Sequence, residues 1–240
     1  MKDIFPIVSS SPLFEGIGSA DFASVMGCLG GAVRNYGKAE TVLGEGDAVS
    51  EVGILVDGRL HLSKCDIWGN NSIVTEITPP GMFAEAVVCA GLGRAPVSVV
   101  AKEASRVLFI DYLKIVGACP SGCEFHTRLI RNMIGVLARK NIVLSSKIEH
   151  ITKRTTKEKL LSYLGDAARQ ASGAPSGGGQ AGAGLVFEIP YNRQELADYL
   201  SVERSALSAE MSKLKAAGVI DYKKNRFVLL GDLGYKGYDR

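Results

Sequence analysis

No apolar run in this chain of 240 residues approaches the roughly 18 residues that a membrane-spanning helix needs. The N-terminus, MKDIFPIVSSSPLF, lacks the basic start and apolar core of a signal peptide, so a cytoplasmic location without membrane contact is expected. Cysteine is sparse: Cys28, Cys65, Cys89, Cys119 and Cys123 are odd in number and scattered, which does not make a disulfide framework. Histidine is scarcer. His61, His126 and His150 stand in three separate regions, which argues against the clustered ligands of a cupin-type metal site, and no metal or other cofactor is expected. Charge of one sign does not dominate, but the net charge of +3 conceals an asymmetry. Residues 1–120 carry −4 and residues 121–240 carry +7, so a polyanion would bind the second half.

What is present reads in three blocks. From about Gly37 to Asp111, short strands are punctuated by glycine, with alternation at Val52, Ile54, Val56 and again at Leu60 and Leu62. Turns every 8–12 residues predict an antiparallel sandwich or barrel, preceded by a short helix from about Asp21 to Leu29 with Ser19 or Asp21 near its N-cap. From about Gly122 to Ile151 there is no proline, and two apolar series run side by side: Ile130, Leu137, Leu144, Ile151 and Leu129, Val136, Val143. Such a double stripe is broader than one packed face needs. It predicts a long helix that buries one side on its own chain and the other on a twin, the competing explanation being a single core helix.

The third block begins with a helix after Thr155-Thr156 and a Gly-rich stretch, 172–184, expected to be a flexible loop without chemistry. In FEIPYNRQELADYLSVERSALSAEMSKLKAAGVIDYKKNRFVLL, Asn192 and Glu195 form a capping box that opens a helix from about Arg193 to Tyr199. A turn at Leu200-Ser201-Val202 leads to a second helix with Leu207, Met211 and Leu214 on one face, ended by Gly218. Two helices across a tight turn make a helix-turn-helix, and the hairpin with its polar tip Lys223-Lys224-Asn225-Arg226 makes a wing.

These motifs resemble the cyclic-AMP receptor and fumarate-nitrate regulator (Crp/Fnr) family of bacterial transcription factors. The carriers are GEGDAVSEVGILVDGRLHL, the stretch from Phe125 to Leu164, and NRQELADYLSVERSALSAEMSKLKAAGVI, in the family's order. The resemblance implies an α+β chain: a β-roll effector domain at 1–120, a dimerisation helix at 121–152 and a winged helix-turn-helix at 153–240. It also implies a homodimer acting on double-stranded DNA, with RNA polymerase as a further partner of an activator. An enzymatic reading finds neither clustered ligands nor a base paired with a cysteine nucleophile.

Residue by residue, Ser201, Arg204, Ser205, Ser208 and Lys213 are expected on the outward face of the second helix, where Arg204 can offer its guanidinium fork to guanine. Arg193, Gln194, Lys223, Lys224 and Arg226 are expected to contact phosphates. Where many relatives place a base-reading arginine and a glutamate, this chain has Ala209 and Ser205. The dimer seam is expected at Leu129, Ile130, Met133, Val136, Leu137, Lys140, Val143, Leu144 and Ile151. The effector cassette falls on Gly81, Phe83, Ala84, Glu85, Ala86, Arg94, Ala95, Pro96, Val97 and Ser98. Glu85 matches the residue that receives ribose hydroxyls, but the phosphate-binding arginine and its neighbouring serine fall on Ala95 and Pro96. Cyclic AMP is therefore not the expected effector, and the effector's identity stays open. The alternative reading is a redox- or gas-responsive regulator that senses through Cys119 and Cys123 or a bound cofactor.

Overall fold

The structure, a computed structural model, describes residues 3–65, 71–117, 124–173 and 184–230. Cys119, Cys123 and most of the Gly-rich stretch lie outside the described residues. The chain divides into two compact units, Met1–Lys140 and Asn141–Arg240.

In the first unit, α1 (Phe5–Val8), a 3-10 turn and α2 (Ser19–Leu29) precede the strands β1 (Ala32–Tyr36), β2 (Thr41–Leu43), β3 (Glu51–Asp57), β4 (Leu60–Cys65) and β5 (Asn71–Ile77). Then follow β6 (Met82–Phe83), α3 (Glu85–Cys89), β7 (Ser98–Ala101), β8 (Ser105–Asp111), α4 (Tyr112–Val116) and the long α5 (Glu124–Thr152). Helix α2 starts two residues before the sequence reading placed it, and its N-cap is Gly18 without a side-chain bond, not Ser19 or Asp21. Every pairing is antiparallel, in two four-stranded sheets ordered β1-β8-β3-β6 and β2-β7-β4-β5, which form the expected β-roll.

Strand β3 shows how period two builds two cores. Val52, Ile54 and Val56 pack with Leu13, Phe14, Phe22 and Leu29 of the helical layer, whereas Leu55 faces a second cluster with Leu60, Phe83, Val99 and Phe109. Gly53 lies against the Phe83 ring so closely that a Cβ would sit 2.2 Å from Cζ; only glycine fits. Leu129, Met133 and Val136 of α5 complete the helical-layer core. Asn132 Nδ2 donates to the carbonyls of Leu13 and Glu15, both at 2.9 Å, which fixes α5 against that layer.

In the second unit, α6 (Thr156–Ser172) begins with a capping box between Thr155 and Glu158. It is followed by β9 (Val186–Glu188), α7 (Arg193–Leu200), α8 (Arg204–Ala216), β10 (Ile220–Lys223) and β11 (Arg226–Leu229). The sheet order β10-β11-β9 makes the wing three-stranded. Leu160, Leu164, Leu196, Leu200, Leu207, Met211 and Phe227 form one core beneath both helices.

Candidate nucleic-acid interface and effector cassette

Helix α7 starts where the capping box requires. Asn192 Oδ1 accepts from the amides of Gln194 and Glu195 at 2.9 and 3.0 Å, and Glu195 Oε2 accepts from the Asn192 amide at 2.7 Å. Its end is a left-handed Ser201, φ 52°, with Val202 N–H donating to Ala197 O at 3.0 Å and Ser201 N–H to Asp198 O at 3.2 Å. That closure is a Schellman motif made without glycine. Ser201 was expected on the face of the second helix; it lies in the turn instead, because α8 begins only at Arg204. Helix α8 closes in the same way on Gly218, φ 68°, with Val219 N–H on Leu214 O at 3.0 Å.

The outward face of α8 is set by what the core takes. Leu207, Met211 and Leu214 are buried, which leaves Arg204, Ser205, Ala206, Ala209, Ser212 and Lys213 exposed and Ser208 half-buried. Arg204 has no partner among the described residues. Lys213 reaches Glu210 at 3.4 Å. The third exposed cation of α8, Lys215, is tied to Asp221 at 2.5 Å, and the rest of the ridge is alanine and serine, so base reading by a guanidinium fork falls to Arg204, with Lys213 as a further charged donor.

Two expected phosphate ligands are engaged within the unit. The Arg193 guanidinium lies over the Tyr222 ring, 4.9 Å from its centre, and against Met211 Sδ; Lys215 approaches the same ring at 5.2 Å. Gln194 Nε2 donates to Asp198 Oδ1 at 2.9 Å along its own helix. The wing cations Lys223, Lys224 and Arg226 are exposed. Their tip is fastened where Asn225 Nδ2 donates to Ile189 O at 3.2 Å and its carbonyl accepts from Ile189 N–H at 3.0 Å. A cleft of about 450 Å³ between the tip and the start of α7 is lined in part by Asn192, Arg193 and Lys224.

In the first unit several of the residues expected to hold an effector are engaged by their own chain. Ala95 is 3% exposed and exchanges backbone bonds with Gly46 and Asp47; Arg94 Nη1 donates to Gly46 O at 2.7 Å. Ser98 Oγ accepts from the Glu45 amide at 3.0 Å. The side chains of Arg94 and Ser98 thus hold the β2–β3 loop. Pro96 is exposed and Val97 half-buried. Phe83 fills the sheet interior with Phe109, edge-on at 6.1 Å, while Gly81 and Ala84 beside it are half-buried and Ala86 is exposed. Glu85 is 4% exposed: Oε1 accepts from Lys140 Nζ at 2.5 Å, and Oε2 has no partner among the described residues. Lys140 Nζ also donates to Met82 O at 3.1 Å.

The comparisons follow the same two-part division. Residues 33–119 match the cyclic nucleotide-binding domain family, and residues 158–233 match the Crp-like helix-turn-helix domain family. Over 206 residues the chain is 31% identical to the transcriptional activator protein FnrL of Cereibacter sphaeroides, covering 83% of this chain and 76% of that one. The chain belongs to the Crp/Fnr family of transcription regulators. The same fold occurs in a CooA variant from Carboxydothermus hydrogenoformans, 19% identical with a TM-score of 0.55 over 86% of this chain and 87% of that one. It also occurs in the Thermus thermophilus catabolite activator protein, 18% identical with a TM-score of 0.51 over 91% and 93%.

In this Crp/Fnr regulator, α5 divides the residues expected at its seam. Leu129, Met133 and Val136 are buried in their own unit's core, and Lys140 is tied to Glu85. Ile130, Leu137 and Ile151 are half-buried; Val143 and Leu144 are 64% and 60% exposed. The sequence reading missed Ile134, Ile142 and Ile148, exposed at 62%, 65% and 57%. A spacing of alternating three and four residues, Ile130, Ile134, Leu137, Asn141, Leu144, Ile148 and Ile151, was the signal that would have found two of them. It missed Lys159 too, whose Nζ donates to Leu200 O at 3.2 Å and Ser201 O at 3.4 Å. In the sequence His150 is one of three scattered histidines. It is 2% exposed, with Nε2 2.8 Å from Asp166 Oδ2 and Nδ1 3.1 Å from Tyr199 Oη.

Proposed function

We propose that this regulator acts as a cytoplasmic homodimer that reads a two-fold DNA site through α8 and does not use cyclic AMP as its effector. The observation that carries the DNA reading is Arg204, exposed and without a partner among the described residues, at the start of α8 beyond a turn and a capped α7. The wing cations supply affinity by releasing counterions from the phosphates. Fluorescence anisotropy on a labelled duplex tests this: affinity should fall linearly on a logarithmic salt scale, and Lys223→Ala with Lys224→Ala should flatten the slope. A protein that binds no duplex at any salt concentration would sink the reading.

The dimer is supported by the apolar row on α5, which a monomer would leave in water. Activation of transcription would add RNA polymerase as a partner.

The effector reading rests on the cassette. A cyclic phosphate that loses its water must regain charge-assisted bonds, and Ala95 and Pro96 offer no donor side chain where the family grips it. Pro96 lacks even an N–H. Arg94 and Ser98 are already engaged by the β2–β3 loop. A different small ligand, or none, fits these residues better. Titration calorimetry with cyclic AMP should give no saturable heat, and a low-micromolar dissociation constant would contradict this.

A further inference from the structure

A helix ends with carbonyls that its own amides cannot reach, and α7 ends inside the turn that sets the direction of α8. The Schellman closure takes up Ala197 O and Asp198 O. It leaves the carbonyls of Leu200 and Ser201, which stand at the negative end of α7 and on either side of the left-handed peptide at Ser201, φ 52°. Among the described residues one donor reaches both: the half-buried Lys159, four positions after the Thr155 cap of α6, at 3.2 and 3.4 Å. Leu200 beneath it is fully buried, so the turn is held from below by packing and from the side by this ammonium. Helix α6 also packs on α8.

The geometry points to Lys159 as a positioning residue for DNA recognition: it holds the carbonyl end of α7 and thereby fixes the angle at which α8 presents Arg204. This rests on the DNA-binding reading above. Its ammonium is spent on protein carbonyls, so its loss should not remove a phosphate contact. What should suffer is discrimination, because base-edge hydrogen bonds need tighter placement than contacts to a backbone of uniform charge.

The test uses the full chain and a duplex that the wild-type protein has selected from a random pool, with an unselected duplex of the same length as comparison. Lys159→Met keeps the stem and removes the charge; Lys159→Arg keeps the charge. Lys159→Gln, with a neutral donor, guards against a Met variant that fails to fold, and circular dichroism reports folding for all three. Lys159→Met should lose about tenfold on the selected duplex and about twofold or less on the unselected one. The slope against salt should not change, and Lys159→Arg should recover most of the loss. Equal losses on both duplexes, a salt slope lower by about one, or an Arg variant as weak as the Met variant would overturn the inference. A wild-type protein that selects no duplex would instead overturn the DNA-binding reading.

Discussion

Arg204 and Arg193 carry the same guanidinium to different ends. Arg204 is exposed at the start of α8 without a partner among the described residues, so Arg204→Ala should cost roughly 1–3 kcal/mol on the preferred duplex and blur one base position. Equal losses on preferred and random duplexes would remove it from base reading. Arg193 is stacked on Tyr222 and packed on Met211, so it ties α7 to the wing and to α8. Arg193→Ala should therefore lower the melting temperature through a loss of about 1 kcal/mol, with little change in salt slope. A flattened slope with unchanged melting would show that Arg193 serves phosphate instead. At this scale the sequence is legible where chemistry is local: the Asn192–Glu195 box and the Gly218 closure follow from residue type and spacing. It is illegible where a side chain's partner is remote, as when Tyr222 claims Arg193 or the Leu200 and Ser201 carbonyls claim Lys159.

Helix α5 joins two tasks, and its spacing announces both. Leu129, Met133 and Val136 are buried in the first unit's core, whereas Leu144 and Ile148 are more than half exposed. Leu144→Lys with Ile148→Lys places two charges in the proposed seam without touching that core, and sedimentation should then show monomers. A double variant that still sediments as a dimer would refute the seam. The C-terminal end of α5 contributes His150, with Asp166 of α6 and Tyr199 of α7 at its two nitrogens. A neutral ring satisfies both, Nε2–H donating to the carboxylate and Nδ1 accepting from the phenol. Burial is the main cause that holds this imidazole below its ordinary 6.5; Lys153 and Arg169 act in the same direction and Glu149 against it. As pH falls through about 6.5 the unfolded chain takes up the proton first, so stability present above that pH is lost below it. Thermal melts should fall between pH 7.5 and 5.5, and His150→Gln should flatten the decline; an identical decline in the variant would exclude His150 as its source. Nothing in the sequence marks His150 as buried, because its partners come from two other helices.

For the whole molecule, the order of sheet, long helix, helix-turn-helix and wing follows from glycine punctuation, period two and period three to four, and the structure reproduces it. The β-roll core was legible in the alternation of β3, but the bonding of the expected effector residues was only half legible. Ala95 and Pro96 could be read as missing phosphate ligands, whereas the use of Arg94 and Ser98 to hold the β2–β3 loop could not. The central claim is that two copies of this chain read DNA through paired α8 helices. Selection of duplexes from a random pool by the purified protein, followed by sequencing, tests it most directly. The account predicts enrichment of a two-fold-symmetric site whose half-sites lie about 10 base pairs apart, one turn of the double helix. A pool that stays random through successive rounds, or that converges on a single unrepeated motif, would contradict it.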